Sequence, residues 1–302
     1  MSGGEARARL PEVALVTRDR RLAERYPGAF LEVKDVSGLE QPPLAGAHAM
    51  ISCFGDNRLA AEHPDWVQVD ERGLRATREA SFFDWDSLCP SRPEVQERLL
   101  DRFEEVARSG VPGLRLDDVD YAREGFCRCE HCRAEYERAR GERPGLQWLE
   151  WRAGVLTGFT RRAVERIERA SPGPRPLLTF TLYPDPLPAH QFERFGVDLA
   201  AVAPLVDAFV VPLYDLAYTT TYWLETIAWD FLEAVEAPLL IELYALHVEE
   251  KRLAHAVEVA ARYADGLLFA YEYKPERIER ELELGREALA RGRRERPRRR
   301  GR

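Results

Sequence analysis

The residues best suited to chemistry fall in one stretch, LRLDDVDYAREGFCRCEHC at 114–132. Asp117, Asp118 and Asp120 come first, and Cys127, Cys129, His131 and Cys132 follow. Neighbouring carboxyl groups whose surroundings push their pKa values apart can divide acid and base work between them. Three cysteines within six residues suggest a metal before a disulfide in an intracellular chain. Zinc takes four ligands in a tetrahedron. The fourth here is Cys89, His131 or Cys53; His131 is next to Cys132, which strains ligation of one ion by both. Cys89, in LCPSRPEV, lies in the preceding connection, so it is the expected fourth ligand. Four thiolates leave no open position, which makes such a zinc structural; free thiols are the alternative.

The elements that position these residues follow from hydrophobic period. Short apolar runs alternate with amphipathic segments, the pattern of a parallel sheet covered by helices. Expected strands are 11–17, 48–54, 66–70, 113–117, 176–183, 207–214, 238–244 and 265–271. Between them, 93–110 places Val95, Leu99, Leu100, Phe103 and Val106 on one face, with Gly110 as a stop. Residues 145–170 and 250–263 read as further helices. Eight strands predict a single-domain (β/α)8 barrel over 1–290, with an open doubly wound sheet as the alternative. No Gly-rich phosphate turn follows any strand, which speaks against a nucleotide-binding open sheet.

Barrel active sites sit at the C-terminal ends of the strands. Here those ends carry Asp19, Asp56, Asp70, Asp117 with Asp118, Tyr183 with Asp185, Tyr214 with Asp215, Glu242 with Tyr244, and Glu272 with Tyr273. Carboxylates bind hydroxyls and move protons, and rings stack on sugar faces, so the set points to a carbohydrate. Strand alternation turns Arg115, Asp117, Thr179, Thr181, Tyr183, Glu242 and Tyr244 toward the barrel interior, along with Gln68 and Asp70. A carboxylate inside a barrel needs a partner, and Arg115 is the candidate for Glu242. Candidate catalytic residues are Asp117 or Asp118 as the acid and Glu242 as nucleophile or base. Arg115, Asp70, Tyr183, Tyr214, Asp215, Tyr244 and Glu272 are candidate substrate contacts, and Trp223 a further sugar-stacking ring.

The last twelve residues, RGRRERPRRRGR, carry eight Arg and one Glu, so the rest is more acidic than the net charge of −8 suggests. Residues 291–302 read as a disordered, solvated tail, and an acidic body argues against nucleic acid as the main ligand. No apolar run reaches the roughly 20 residues of a membrane span. The opening MSGGEARARLPE lacks the apolar core of a signal peptide, so a cytoplasmic location is expected.

CPSRP at 89–93, CRCEHCRAEY at 127–136 and HPDWVQVDERG at 63–73 together resemble the catalytic barrel of family 42 glycoside hydrolases, the β-galactosidases. The likeness covers about residues 63–136. A looser group of glycoside-hydrolase-like barrels shares the GLRLD type of strand end. The resemblance implies one zinc held by Cys89, Cys127, Cys129 and Cys132. It implies an acid/base at the end of the fourth strand, where Asp117-Asp118 replaces the family's Asn-Glu, and a nucleophile at the position of Glu242. The expected function is therefore hydrolysis of a glycosidic bond by two carboxyl groups. The alternatives are a non-catalytic carbohydrate-binding barrel, and a metal-dependent hydrolase, for which only His247 lies near a strand end.

Overall fold

A computed structural model describes residues 9–295 apart from Ser81, Glu124, Pro186 and Pro188. Eight parallel strands close into a barrel in sequence order, β8 pairing with β1. In chain order the elements are β1 (Val13–Thr17), α1 (Arg20–Arg25), β2 (Phe30–Lys34), β3 (His48–Ser52), α2 (Asn57–Glu62), α3 (Pro93–Arg108) and β4 (Gly113–Asp117). There follow α4 (Glu130–Glu142), α5 (Trp148–Ala170), β5 (Leu177–Thr181), α6 (Ala189–Glu193), α7 (Leu199–Val202) and β6 (Ala208–Pro212). The last are α8 (Tyr222–Ala234), β7 (Leu239–Tyr244), α9 (Glu250–Ala260), β8 (Gly266–Ala270) and α10 (Pro275–Glu295).

Alternation along the strands divides two cores, as a barrel requires. Leu114, Leu116, Leu178, Phe180, Leu239, Ile241 and Leu243 face the helices, where Val95, Leu99, Leu100, Phe103 and Val106 of α3 meet them. Ala14, Val16, Phe30, Met50, Val210, Leu240 and Leu268 fill the barrel interior. Above this plug the interior turns polar, with Glu32, Arg115, Thr179 and Glu242 all buried.

Two expectations are corrected. Residues 66–70 are not a barrel strand. Pro64–Trp66 is a short 3-10 turn, and Val67 and Val69 make only isolated bridges to Leu88 and Arg75. The alternation in WVQVD belongs to a small folded loop whose Gln68 and Asp70 bind its own surroundings: Gln68 donates to the Leu88 carbonyl and accepts from the Ala122 amide. The missing strand is β2, FLEVK, whose charged residues hide its period. Glu32 and Lys34 are inside because partners just past β1 and β8 and at the start of α2 meet them. The second correction is at the end of the chain: α10 continues to Glu295, into the segment read as a tail, and 296–302 lie outside the described residues. No helix among the described residues is long and apolar enough to cross a membrane.

Candidate active site

Arg115 is the hub of the polar layer. It is 1% exposed, and its guanidinium donates to Glu242 of β7, to Asp117 Oδ1 at 3.2 Å and to Thr181 Oγ1 at 2.8 Å. Thr181 in turn donates to Asp117, and the Tyr214 hydroxyl donates to the second oxygen of Glu242. Burial works against the charge on Arg115, but Glu242 and then Asp117 outweigh it, and the guanidinium pKa is raised. Glu242 thus lies between a cation and a phenol, the partners a buried carboxylate needs. The Arg115–Glu242 pair anticipated from strand alternation is formed.

Asp118 stands at the turn out of β4 with φ 51°. That left-handed backbone is uncommon outside glycine, though Asp is among the residues that tolerate it. Oδ2 of Asp118 lies 2.6 Å from Ser52 Oγ of β3. Burial, then the charge of Asp117, pushes the Asp118 carboxyl up to about 7, with the Ser52 hydrogen bond opposing. Asp120 is also raised well above the usual carboxylate range, by burial and then by both preceding aspartates. A second carboxylate layer adjoins this one. Glu32 accepts from the Tyr271 hydroxyl at 2.6 Å and from Arg18 Nε at 2.5 Å, and burial raises its pKa. The Tyr214, Tyr244 and Tyr271 rings lie with centroids 5.6 to 6.5 Å apart, joining the two layers.

The other expected contacts are placed differently. Tyr183 is 39% exposed and stacks on Phe195 at 4.4 Å, while Tyr214 is 40% exposed, so both offer ring surface at the mouth. Asp70 accepts from the Arg72 and Leu74 amides, and Asp215 from those of Ala217 and Tyr218. Glu272 accepts from the Tyr273 and Lys274 amides and pairs with Arg277 at 3.1 Å. These three carboxylates hold their own loops. Trp223 is half-buried, and its indole donates to the Thr220 carbonyl. The His247 ring lies 6.1 Å from that of Tyr273, in an edge-on arrangement. A cleft of about 560 Å³ on the barrel flank, beside α6–α8, is far from this chemistry; its Asp198 caps α7.

The Sγ atoms of Cys89, Cys127, Cys129 and Cys132 lie within 4.8 Å of one another. Cys89 Sγ is 3.3 Å from that of Cys132 and 3.8 Å from that of Cys129. The Val69 amide donates to Cys127 Sγ and the Cys132 amide to Cys129 Sγ. Amide donors aimed at sulfur suit thiolates, so this donor set fits a metal ion. His131 turns away, its Nε2 2.9 Å from the Ser91 carbonyl, and Cys53 sits behind β3 in the outer core.

Other proteins share this architecture. The glycoside hydrolase domain of PgaB (BpsB) from Bordetella bronchiseptica superposes with a TM-score of 0.66 at 13% identity, over 93% of this chain and 98% of that one. A β-galactosidase from Bacillus circulans sp. alkalophilus gives 0.64 at 13% identity, over 94% of this chain and 56% of its own. A GH42 β-galactosidase from G. stearothermophilus gives 0.60 at 11% identity, over 95% and 57%. The chain has the fold of glycoside hydrolase catalytic barrels. It spans little more than half the length of the two β-galactosidases. No family model and no curated protein matches the sequence.

Within that fold, sequence reasoning missed Glu32, Tyr271, Ser52 and Trp85. Glu32 went with the unrecognised β2, and Ser52 and Trp85 are ordinary residues until their neighbours are known. Asp185 acquires partners in the same way, from His190 Nδ1 at 2.8 Å and from Arg194.

Proposed function

We propose that this chain is a glycoside hydrolase that uses two carboxyl groups at the barrel mouth. Asp118 donates the proton to the departing glycosidic oxygen. Glu242 is the carboxylate, attacking the sugar in a retaining reaction or activating water in an inverting one. One observation carries this reading. The same layer contains a carboxyl pushed up to about 7 and a carboxylate gripped by Arg115 and Tyr214. Environments that separate two carboxyl groups in this way assign acid and base. Asp117, bound by Arg115 and Thr181, is better placed to keep the proton on Asp118 than to give one itself. Tyr183, Tyr214 and Tyr244 supply ring surface for the sugar. The four cysteines hold one zinc ion, which closes its own tetrahedron and braces the loops after β3 and β4.

The test is a panel of aryl glycosides and oligosaccharides, with Asp118→Asn and Glu242→Gln beside wild type. Each substitution lowers kcat/KM by about 10²–10⁴. Asp118→Asn recovers rate on a dinitrophenyl glycoside, whose leaving group needs no proton. Full activity in both variants refutes the assignment. Sugar binding without turnover by wild type supports instead a carbohydrate-binding barrel.

A further inference from the structure

If Asp118 is the acid, it must be held in place both with its proton and without it. We propose that Ser52 and Trp85 are the positioning residues of this acid: Ser52 as a hydroxyl that turns to serve both states, Trp85 as the wall that keeps water off it. The inference rests on the reading of Asp118 given above.

The Ser52 hydroxyl is 2.6 Å from Asp118 Oδ2 and 2.9 Å from the Gly55 carbonyl oxygen. It has one hydrogen and two lone pairs, so it cannot donate to both. With Asp118 protonated, the contacts form a complete chain. The carboxyl donates to Ser52 Oγ, and Ser52 donates to the Gly55 carbonyl. When the glycosidic oxygen takes that hydrogen, the bond from the carboxyl to Ser52 breaks, and Ser52 rotates and donates to the carboxylate. The Gly55 carbonyl is not stranded, because Lys34 Nζ donates to it at 3.1 Å. Lys34 is fixed for that task by the Ser52 carbonyl at 2.7 Å and Asp56 at 3.1 Å. No heavy atom moves in the exchange.

Gly55 shows where the wall stands. A Cβ there would lie 2.9 Å from Ser52 Oγ, 2.9 Å from Trp85 Cδ1 and 3.0 Å from Asp118 Oδ2. Three side chains therefore converge on one point that only glycine leaves open. Trp85 is half-buried and borders the same point as the acid. An indole that displaces water beside a carboxyl disfavours the charged form. The charged and titratable groups around Asp118 are Asp117 and Asp120 on its own segment, Glu32 and Lys34 from β2, and Cys53 just after β3. Lys34 is the one cation of this set, and it is shared with Asp56.

The two residues act in opposite directions, which gives the test. The carboxyl carbon of Asp118 is followed by ¹³C NMR in aspartate-labelled resting protein, its signal assigned by its loss in Asp118→Asn. Wild type titrates near 7. Trp85→Ala admits water and moves the titration down by about one unit or more, and Trp85→Phe moves it less. Ser52→Ala removes the bond to the carboxylate and moves it up by about one unit, whereas Ser52→Thr stays near wild type. The alkaline limb of the kcat/KM profile follows each shift. Where an alanine variant does not fold, Trp85→Leu and Ser52→Gly make the same comparison. Shifts in the same direction, or none, overturn the proposal. If the NMR shifts appear but Asp118→Asn keeps its full hydrolytic rate, the acid assignment fails and the positioning of Asp118 stands.

Discussion

Replacing Arg115 by methionine removes one cation from two carboxylates and fills most of its volume with an apolar chain. Glu242, whose side chain is 0% exposed, is left with the Tyr214 hydroxyl alone. Breaking a buried pair by removing one partner costs about 3–5 kcal/mol. With an unfolding entropy of about 2.1 cal/mol/K per residue, a chain of 302 residues loses about 5–8 °C of Tm. Glu242→Gln alone leaves Arg115 paired with Asp117 and costs about 1–3 kcal/mol. The double variant no longer buries a stranded charge, so it is more stable than the sum of the singles by about 2–3 kcal/mol. The sign with pH is also fixed. In Arg115→Met the buried Glu242 has lost its cation, and burial disfavours its charged form, so protonation at low pH relieves part of the loss. The deficit of the single variant is smaller at pH 5 than at pH 8. Calorimetry and urea titration at both pH values measure this. Additive singles, or a deficit independent of pH, refute the claim that one guanidinium neutralises Glu242.

Protein purified under reducing conditions contains one zinc per chain by elemental analysis. Cys89→Ser loses the metal and several degrees of Tm, and metal-free wild type behaves likewise. Asp118 is pushed up to about 7 and Glu281 to about 8, both chiefly by burial. A raised carboxyl stabilises the fold fully below pH ~4 and loses that contribution as pH rises through its folded pKa, on the order of 4–5 kcal/mol for each. Urea midpoints therefore fall between pH 5 and 8.5, and Glu281→Gln flattens the fall. In Gly113→Ala the new Cβ would lie 2.0 Å from His48 Nδ1, between paired strands β3 and β4. It costs about 1–3 kcal/mol by overpacking, and His48→Ala restores most of the loss.

The barrel was legible because burial on both faces writes apolar runs such as AFVVP and LLIELY, and their period says which residues turn inward. The same rule brought Arg115 to Glu242. It failed on FLEVK, where a strand is stabilised by ion pairs with Arg18 and Asp56 that no local pattern shows. It failed again on WVQVD, where alternation serves a loop folded over the cysteines. The cysteine cluster was legible from spacing, since metal ligands must converge. The choice between Asp117 and Asp118 was not. It depends on Thr181 and Ser52, from β5 and β3, and on the backbone turn at Asp118.

The separation of Arg115 from Glu242 has a consequence for the nascent chain. The two are 127 residues apart, and the ribosome releases the cation long before its buried counter-charge. Asp117, two residues along, is at hand from the start and is its partner in the finished fold. A fragment ending before β7 would have to bury a guanidinium on that one partner and Thr181. Until β7 and β8 arrive the barrel cannot close, so its interior stays open to water. A residue that helps keep a proton on its neighbour in the finished protein first serves the unfinished one as a chaperone for its charge.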